Sequence, residues 1–200
     1  MNVSDTAADN AAATDHKNFY YPPGGILMWI VIFLELLTFG IAIVVFMYTA
    51  REERAAFAAS ASRLDVTIGS INTVVLLTSG YYMARCVEFF RRGLKLYKVQ
   101  LALALLAGTT FLALKSVEYA HKLSEGLTLG SGTFFDFYWM LTGFHVVHVV
   151  VGMVILLWWV VTEPKKPKDL ALPQLETGAA FWHLCDLIWL LLFPVLYLIF

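Results

Sequence analysis

The chain has 200 residues, of which 60% are hydrophobic and 14% are charged. A typical soluble domain carries about 25% charged residues, so this composition excludes an ordinary soluble protein. The formal net charge of −1 at pH 7 gives no basis for a nucleic-acid partner, which would require a basic surface. The mean hydropathy of +0.71 indicates a membrane protein.

The N-terminal segment differs in composition from the rest of the chain. Residues 1–18 are rich in Ala, Asp, Asn and Thr, and we expect them to form a disordered polar tail. Residues 19–200 are expected to form one transmembrane domain. The first apolar run is too long for the core of a signal peptide, so we predict no cleavable leader.

Five apolar runs are long enough for a helix to cross about 30 Å of hydrocarbon. They cover residues 26–48, 67–90, 97–120, 134–161 and 177–199. The predicted fold class is therefore all-α, a polytopic bundle of five transmembrane helices. The charged, Ala-rich segment 51–65 predicts a short surface helix, and the three prolines of segment 162–176 predict a loop.

The distribution of Lys and Arg between alternate loops predicts the orientation of the bundle, because cytoplasmic loops carry the excess of these residues. With the N-terminus inside, the cytoplasmic set is Lys17, Arg91, Arg92, Lys95, Lys98, Lys165, Lys166 and Lys168. The external set is Arg51, Arg54, Arg63 and Lys122, with Lys115 near that end of the third run. We therefore predict a cytoplasmic N-terminus and a periplasmic C-terminus.

Glu35 lies in the middle of the first apolar run. A carboxylate near the bilayer centre costs about 2.5–3.5 kcal/mol on insertion scales, so this side chain needs a partner or a proton. Two interpretations stay open. Glu35 accepts or stores a proton in function, or it is a protonated glutamate that hydrogen-bonds a neighbouring helix.

Two histidines, His145 and His148, are three residues apart in the fourth run and so lie on one face of a helix. Tyr138, Thr142 and Gly152 fall near the same stripe. Lipid cannot satisfy such polar and small groups, so we expect this face to pack against another helix.

The fifth run repeats the three-residue spacing of polar side chains, and we predict that the fourth and fifth helices face each other. A buried network would then satisfy all four polar groups at once, and removing one would leave the others unpaired. The predicted members are His145, His148, His183 and Asp186.

Two further polar features lie on the remaining runs. Lys115 and the buried membrane carboxylate Glu118 are three residues apart near the outer end of the third run. We predict an ion pair of Lys115 with Glu118 or with an acid on another helix. The second run carries Asn72, Ser79 and Gly80 among other small and hydroxyl residues, which predicts a seam between helices.

The histidines also allow a metal site as an alternative. Ligands three residues apart on two helices, together with Glu118 or Glu35, have the chemistry to hold zinc or iron. Only three histidines lie well inside the membrane runs, which is too few for a complete haem–copper catalytic core. We predict a polar network without metal, and a stand-alone metal-dependent membrane enzyme stays as the alternative.

The histidine segment resembles a known family. Thr142-Gly-Phe-His145-Val-Val-His148-Val-Val-Val-Gly152 is similar to the T-G-F-H-x-x-H-V-x-x-G segment of haem–copper oxidase (cytochrome c oxidase) subunit III. Further blocks agree in order, namely Met28-Trp-x5-Glu35, Asn72-Thr-Val-Val-Leu-Leu-Thr-Ser79, Lys115-x2-Glu118-Tyr119 and Phe181-Trp-His183-x2-Asp186-x2-Trp189-x3-Phe193. Lys115 stands where the family usually has glutamine. The resemblance covers about residues 26–200.

This resemblance implies a non-catalytic accessory subunit of a respiratory oxidoreductase in the bacterial cytoplasmic membrane. Such a subunit packs against a larger haem-bearing catalytic subunit, contacts membrane lipid and holds no redox centre itself, so haem and metal are expected only in the partner. It would support stability, assembly and proton delivery. The positions that match the family's polar residues are Glu35, Glu118, His145, His148, His183 and Asp186.

The C-terminal part resembles one branch of this family more than the others. The stretches 176–183 and 191–197 are similar to the short branch linked with nitric oxide reductase, which predicts that kind of complex, and otherwise cytochrome c oxidase. A small proton or ion carrier centred on Glu35 is a third hypothesis, which the missing internal repeat disfavours.

Overall fold

The computed structural model describes residues 25–165 and 167–200, which contain no β-strand. Six α-helices follow one another along these residues. They are α1 (Gly25–Glu52), α2 (Arg54–Ala61), α3 (Val66–Arg91), α4 (Tyr97–Ser124), α5 (Thr133–Thr162) and α6 (Lys168–Tyr197), with a short 3₁₀ helix at Glu163–Lys165 before α6. The all-α prediction is confirmed, and the predicted tail of residues 1–18 lies outside the described residues.

Four of these helices are long and apolar enough to cross a membrane: α1, α4, α5 and residues Leu170–Tyr197 of α6. The second predicted span, α3, has 26 residues and is long enough, but its hydroxyl, amide and charged side chains lower its apolar character. The short helix predicted in segment 51–65 is confirmed as α2.

The loop predicted for residues 162–176 is wrong for its second half, because α6 begins at Lys168 and runs through Pro173. Pro173 is the sixth residue of α6, where a proline removes a backbone donor and crowds the carbonyl oxygen four residues earlier. Packing offsets this loss, since Ala171 and Leu175 are fully buried and the indole of Trp159 donates a 2.9 Å hydrogen bond to the Ala171 carbonyl oxygen.

Local chemistry sets the ends of α3. Asp65 caps its N-terminus, where the carboxylate accepts hydrogen bonds from the backbone N–H groups of Thr67 at 2.9 Å and Ile68 at 3.1 Å. Gly93 follows its C-terminus with a φ of 74°, and the Leu94 N–H donates back to the Phe89 carbonyl oxygen. This left-handed turn reverses the chain directly into α4.

The predicted seam on α3 is confirmed, because α3 packs along both α4 and α6 with Gly69, Asn72, Ser79 and Gly80 buried. Trp182 of α6 fills the centre of this packing. A methyl group on Gly108 of α4 would lie 2.7 Å from its ring, and one on Gly152 of α5 would lie 3.0 Å from it. Its indole donates to the hydroxyl of Ser79, which donates to the carbonyl oxygen of Ala104.

The prediction that the fourth and fifth spans face each other is also confirmed, as α5 packs on α6.

Helix α1 lies at the edge of the bundle. It contacts α6 and, less extensively, α5 and α2. Its buried residues are Phe39, Phe46 and Ala50, all in its second half. The first half of α1 therefore presents apolar side chains outward on most of its surface.

Candidate functional site

Glu35 of α1 faces His148 of α5 near the middle of both helices. The Oε2 atom of Glu35 lies 3.2 Å from Nε2 of His148, and the two side chains are 21% and 10% exposed. On its other side, Nδ1 of His148 lies 2.8 Å from the Phe144 carbonyl oxygen. The structure thus gives the intramembrane carboxyl a partner on another helix.

The contact of His148 with Phe144 determines which ring nitrogen carries a hydrogen. A carbonyl oxygen only accepts, so Nδ1 must carry a hydrogen. Oε2 of Glu35 approaches Nε2 of His148 at 3.2 Å without forming a hydrogen bond, since it has no hydrogen-bond partner among the described residues. A carboxyl and an imidazole are nevertheless the two kinds of side chain that most often transfer protons in proteins.

The second polar pair lies within α6, where Nδ1 of His183 is 3.4 Å from Oδ2 of Asp186. Asp186 is 7% exposed, whereas the side chain of His183 is 45% exposed. Gly80 of α3 makes room for the carboxylate, because a methyl group there would lie 2.1 Å from Oδ2.

His145 is fully buried between aromatic rings. Its imidazole stacks on Trp189 at a centroid distance of 5.3 Å and meets Phe111 edge-on at 5.7 Å. Within the described part of the chain, neither of its ring nitrogens has a hydrogen-bond partner.

The structure therefore does not join the four predicted residues into one network, which corrects the arrangement expected from the spacing. Residues three apart on a helix are rotated by about 60° from one another, so the two α5 histidines reach different neighbours. His148 turns towards α1, whose Glu35 was not among the four predicted members, and His145 turns towards α4 and α6.

A separate cluster surrounds the predicted ion pair of α4. Nζ of Lys115 donates to Oε2 of Glu118 at 3.0 Å and to the hydroxyls of Tyr138 at 3.2 Å and Tyr197 at 2.8 Å. Both hydroxyls donate in turn to Oε1 of Glu118, at 2.8 and 2.5 Å. Every hydrogen of the ammonium has an acceptor, so the network is closed.

Aromatic rings complete the surroundings of the Lys115 ammonium, which is 1% exposed. Nζ lies between 5.0 and 5.4 Å from four ring centroids, those of Tyr119, Tyr138, Trp189 and Tyr197. Cation–π attraction at these distances offsets part of the cost of burying the charge. The spacing predicted the ion pair but not Tyr197, which is 82 positions away in the chain.

An open cavity of about 400 Å³ reaches the Lys115 cluster from the end of the bundle where α4 meets the α2–α3 link. Glu118 forms part of its wall, with cationic and acidic side chains around the mouth. Those charged residues are Arg63, Asp65, His121, Lys122 and Glu125. The two signs are balanced, so the cavity shows no preference for an anion or a cation.

The arrangement does not favour the metal-site alternative. Within residues 25–165 and 167–200, no three His, Cys, Asp or Glu side chains converge in the manner of metal ligands. His148 is engaged by Glu35 and Phe144, whereas His183 is paired one helix away.

Comparison with known proteins gives consistent matches. The family model described as cytochrome c oxidase subunit III matches residues 60–199. Probable quinol oxidase subunit 3 of Staphylococcus saprophyticus is 29% identical over 132 residues, which are 64% of this chain and 65% of that protein. Quinol oxidase subunit 3 of Bacillus spizizenii is 29% identical over 140 residues, 67% of each chain.

The name of a third relative specifies cytochrome c instead of quinol. Cytochrome c oxidase subunit 3 of Bacillus subtilis is 30% identical over 140 residues, 67% of this chain and 66% of that protein. The chain thus spans about two thirds of the length of these relatives. Glu35 lies before the residues that match the family model, so its role must be argued from its contacts.

Proposed function

Because the chain belongs to the cytochrome c oxidase subunit III family, we propose that it is the accessory membrane subunit of a haem–copper oxidase. The match over residues 60–199 carries this proposal. The partner would be a larger, haem-bearing catalytic subunit, which this chain stabilises and helps to assemble. The relatives named above are bacterial, which supports a location in the bacterial cytoplasmic membrane.

The proposed topology has five spans, in which α3 crosses the membrane in addition to α1, α4, α5 and α6. Its 26 residues extend over about 39 Å at 1.5 Å per residue, which is enough to cross the hydrocarbon. Asn72, Ser79 and Gly80 are buried against α4 and α6, so these groups do not meet lipid. The Lys and Arg bias supports a cytoplasmic N-terminus and a periplasmic C-terminus, with residues 19–200 as one membrane domain and lipid around its apolar surface.

The names of the relatives favour an oxygen-reducing complex. They are subunits of quinol and cytochrome c oxidases, and we propose that this chain serves an oxidase of that type. None of these three relatives is a nitric oxide reductase subunit. That association, which rests on stretches 176–183 and 191–197, stays a prediction.

Glu35 and His148 support a role in proton delivery. A carboxyl and an imidazole 3.2 Å apart at mid-membrane depth have the chemistry to pass a proton beside a catalytic subunit. We propose no redox centre in this chain, and haem and metal would belong to the partner. A stand-alone metal-dependent enzyme has no support in the dispersed histidines.

Affinity purification of the tagged chain in mild detergent tests the proposal. A haem spectrum and a metal analysis of the eluate show what co-purifies. We expect a larger subunit that carries haem to co-purify, and its substrate, oxygen or nitric oxide, to identify the complex. A lone chain with one equivalent of iron or zinc would contradict the proposal and support the metalloenzyme. A lone chain without haem or metal in several mild detergents would also contradict a permanent subunit.

A further inference from the structure

His183 is unusual because it is polar, exposed and placed in the middle of a membrane helix. Its side chain is 45% exposed, and it lies half-way along α6. Ionisable residues within transmembrane segments are costly in lipid and almost always face protein or a water-filled cavity. The imidazole of His183 is therefore a group that lipid tails cannot satisfy.

The surface beside His183 has the shape of a groove. A depression of about 360 Å³ runs between the first half of α1 and the middle of α6. Ile32, Phe33 and Leu36 form one wall, and Leu184 and Leu187 form the other beside His183. The groove exists because α1 buries residues only in its second half, from Phe39 onward. An apolar groove with one polar group at its centre suits a helix that carries a matching polar side chain.

The pairing within α6 defines what that matching side chain must be. Nδ1 of His183 faces Oδ2 of Asp186 at 3.4 Å. With Asp186 as a carboxylate, which only accepts, the hydrogen lies on Nδ1. Nε2 of the neutral ring is then an acceptor, and no described residue donates to it. The complementary group is a hydrogen-bond donor such as a hydroxyl, amide or indole.

The same hydrogen assignment disfavours an acyl chain, which has no donor for Nε2. A second copy of this chain would have to bring a donor from another residue, because an isologous contact pairs residue i of one copy with residue j of the other.

We propose that a transmembrane helix of the larger catalytic subunit fills the groove between α1 and α6 and donates a hydrogen bond to Nε2 of His183. This inference rests on the proposed function. It adds the face that docks and the chemistry that recognises the partner.

Photo-crosslinking within the purified complex tests the groove directly. A benzoylphenylalanine replaces Leu187 in the groove, and a matched control replaces Val154, which is 59% exposed on α5. We expect the Leu187 position to cross-link to one membrane segment of the haem-bearing subunit that contains a donor side chain, mapped by mass spectrometry. The control position should yield mainly lipid adducts.

Substitution of the histidine then tests the hydrogen bond. His183→Leu should reduce the cross-link yield at position 187 at least 5-fold. His183→Gln, whose amide still accepts a hydrogen bond, and Val147→Leu on the exposed face of α5 should leave the yield within 2-fold.

Several outcomes would overturn the inference. They are lipid adducts alone at position 187, a cross-link between two copies of this chain, and a cross-link to residues 1–24 of the same chain. A yield unchanged by His183→Leu would do the same. If the haem-bearing subunit co-purifies in these cases, the proposed function stands and only the groove assignment fails. If no such subunit co-purifies, the proposed function fails.

Discussion

At the scale of single residues, Lys115 bears a large cost of desolvation, because its ammonium is 1% exposed within a membrane helix. Glu118 and two tyrosine hydroxyls accept all three of its hydrogens. Breaking a buried pair leaves one charge uncompensated and typically costs about 3–5 kcal/mol, whereas replacing both partners with apolar groups is often neutral.

We therefore expect Glu118→Leu to lower the free energy of unfolding by about 3–5 kcal/mol, because Lys115 loses its counter-charge. The double variant Lys115→Met with Glu118→Leu should recover most of this loss. Equilibrium unfolding in mixed detergent micelles measures both. A double variant as unstable as Glu118→Leu alone would show that the tyrosine hydroxyls, not the ammonium, carry the penalty.

A variant of Glu35 can separate the two interpretations of this residue, a functional proton acceptor or a structural hydrogen-bonding group. Glu35→Gln keeps a donor for Nε2 of His148 but cannot release a proton. We expect this variant to assemble with its partner normally and to lower the turnover of the complex, because proton delivery loses its exchangeable group.

His148→Ala serves as a comparison for Glu35→Gln. It leaves the Glu35 carboxyl without its partner and should lower the free energy of unfolding by about 1–3 kcal/mol. Normal turnover of the Glu35→Gln complex, measured as oxygen consumption, would assign the pair a purely structural role.

At the scale of helices, close packing depends on a few glycines at crossings. Gly108 is the clearest case, because an added methyl would lie 2.7 Å from the Trp182 ring in the centre of the bundle. Gly143 lies in α5 with no atom within 4 Å of such a methyl. The two positions differ in packing although both are helical.

We expect Gly108→Ala to destabilise the bundle by about 1–3 kcal/mol through overpacking. Gly143→Ala should be neutral or stabilise it by up to about 1 kcal/mol, because alanine has the higher helix propensity. Thermal unfolding followed by circular dichroism compares the two. Equal effects would mean that Trp182 can move away from α4 freely.

The link between α2 and α3 is held to the end of α4 by Lys122. Nζ donates to the Arg63 carbonyl oxygen at 2.6 Å and to Oε2 of Glu125 at 3.2 Å. The hydrogen bond from Lys122 lowers the pKa of Glu125, which lies beyond the end of α4. A carboxyl whose pKa is lowered by folding stabilises the native state above its unfolded pKa and loses this effect as the pH falls.

We accordingly expect the amide hydrogens of the link, residues 62–66, to exchange faster as the pH falls below about 4.3, once the intrinsic pH dependence is removed. Lys122→Met should abolish this additional increase and raise exchange at neutral pH. An unchanged profile in Lys122→Met would mean that another group holds the link.

For the whole molecule, the orientation in the membrane decides which side each cluster serves. The proposed topology puts the α4–α5 link outside and the α3–α4 turn in the cytoplasm. Ser131 and Lys95 are exposed in these segments, and the native Cys86 and Cys185 are buried. The cavity beside Glu118 would then open towards the periplasm.

We expect Ser131→Cys to react with a membrane-impermeant maleimide in intact cells whose outer membrane is permeable to it. Lys95→Cys should react only after the inner membrane is disrupted. The reverse pattern would invert the topology and the sides assigned to both polar clusters.

The sequence by itself determined the class of the protein and much of its helical content. Apolar runs of sufficient length must form helices in a membrane, because no other local structure satisfies the backbone there. It also determined that the stripe around His145 and His148 is buried, since polar groups on an apolar helix require a protein neighbour. The start of α6 was missed, because the burial of Ala171 and Leu175 against distant residues offsets the cost of Pro173.

Only the tertiary structure decided which polar groups meet. Spacing along one helix reports the face of a residue but not the helix that faces it. His148 therefore pairs with Glu35 from α1, although the spacing pointed to Asp186 of α6. Tyr197 reaches Lys115 across 82 positions, and His183 is left exposed beside α1. Each of these contacts depends on the rotation and neighbour of a helix, which packing against distant residues sets.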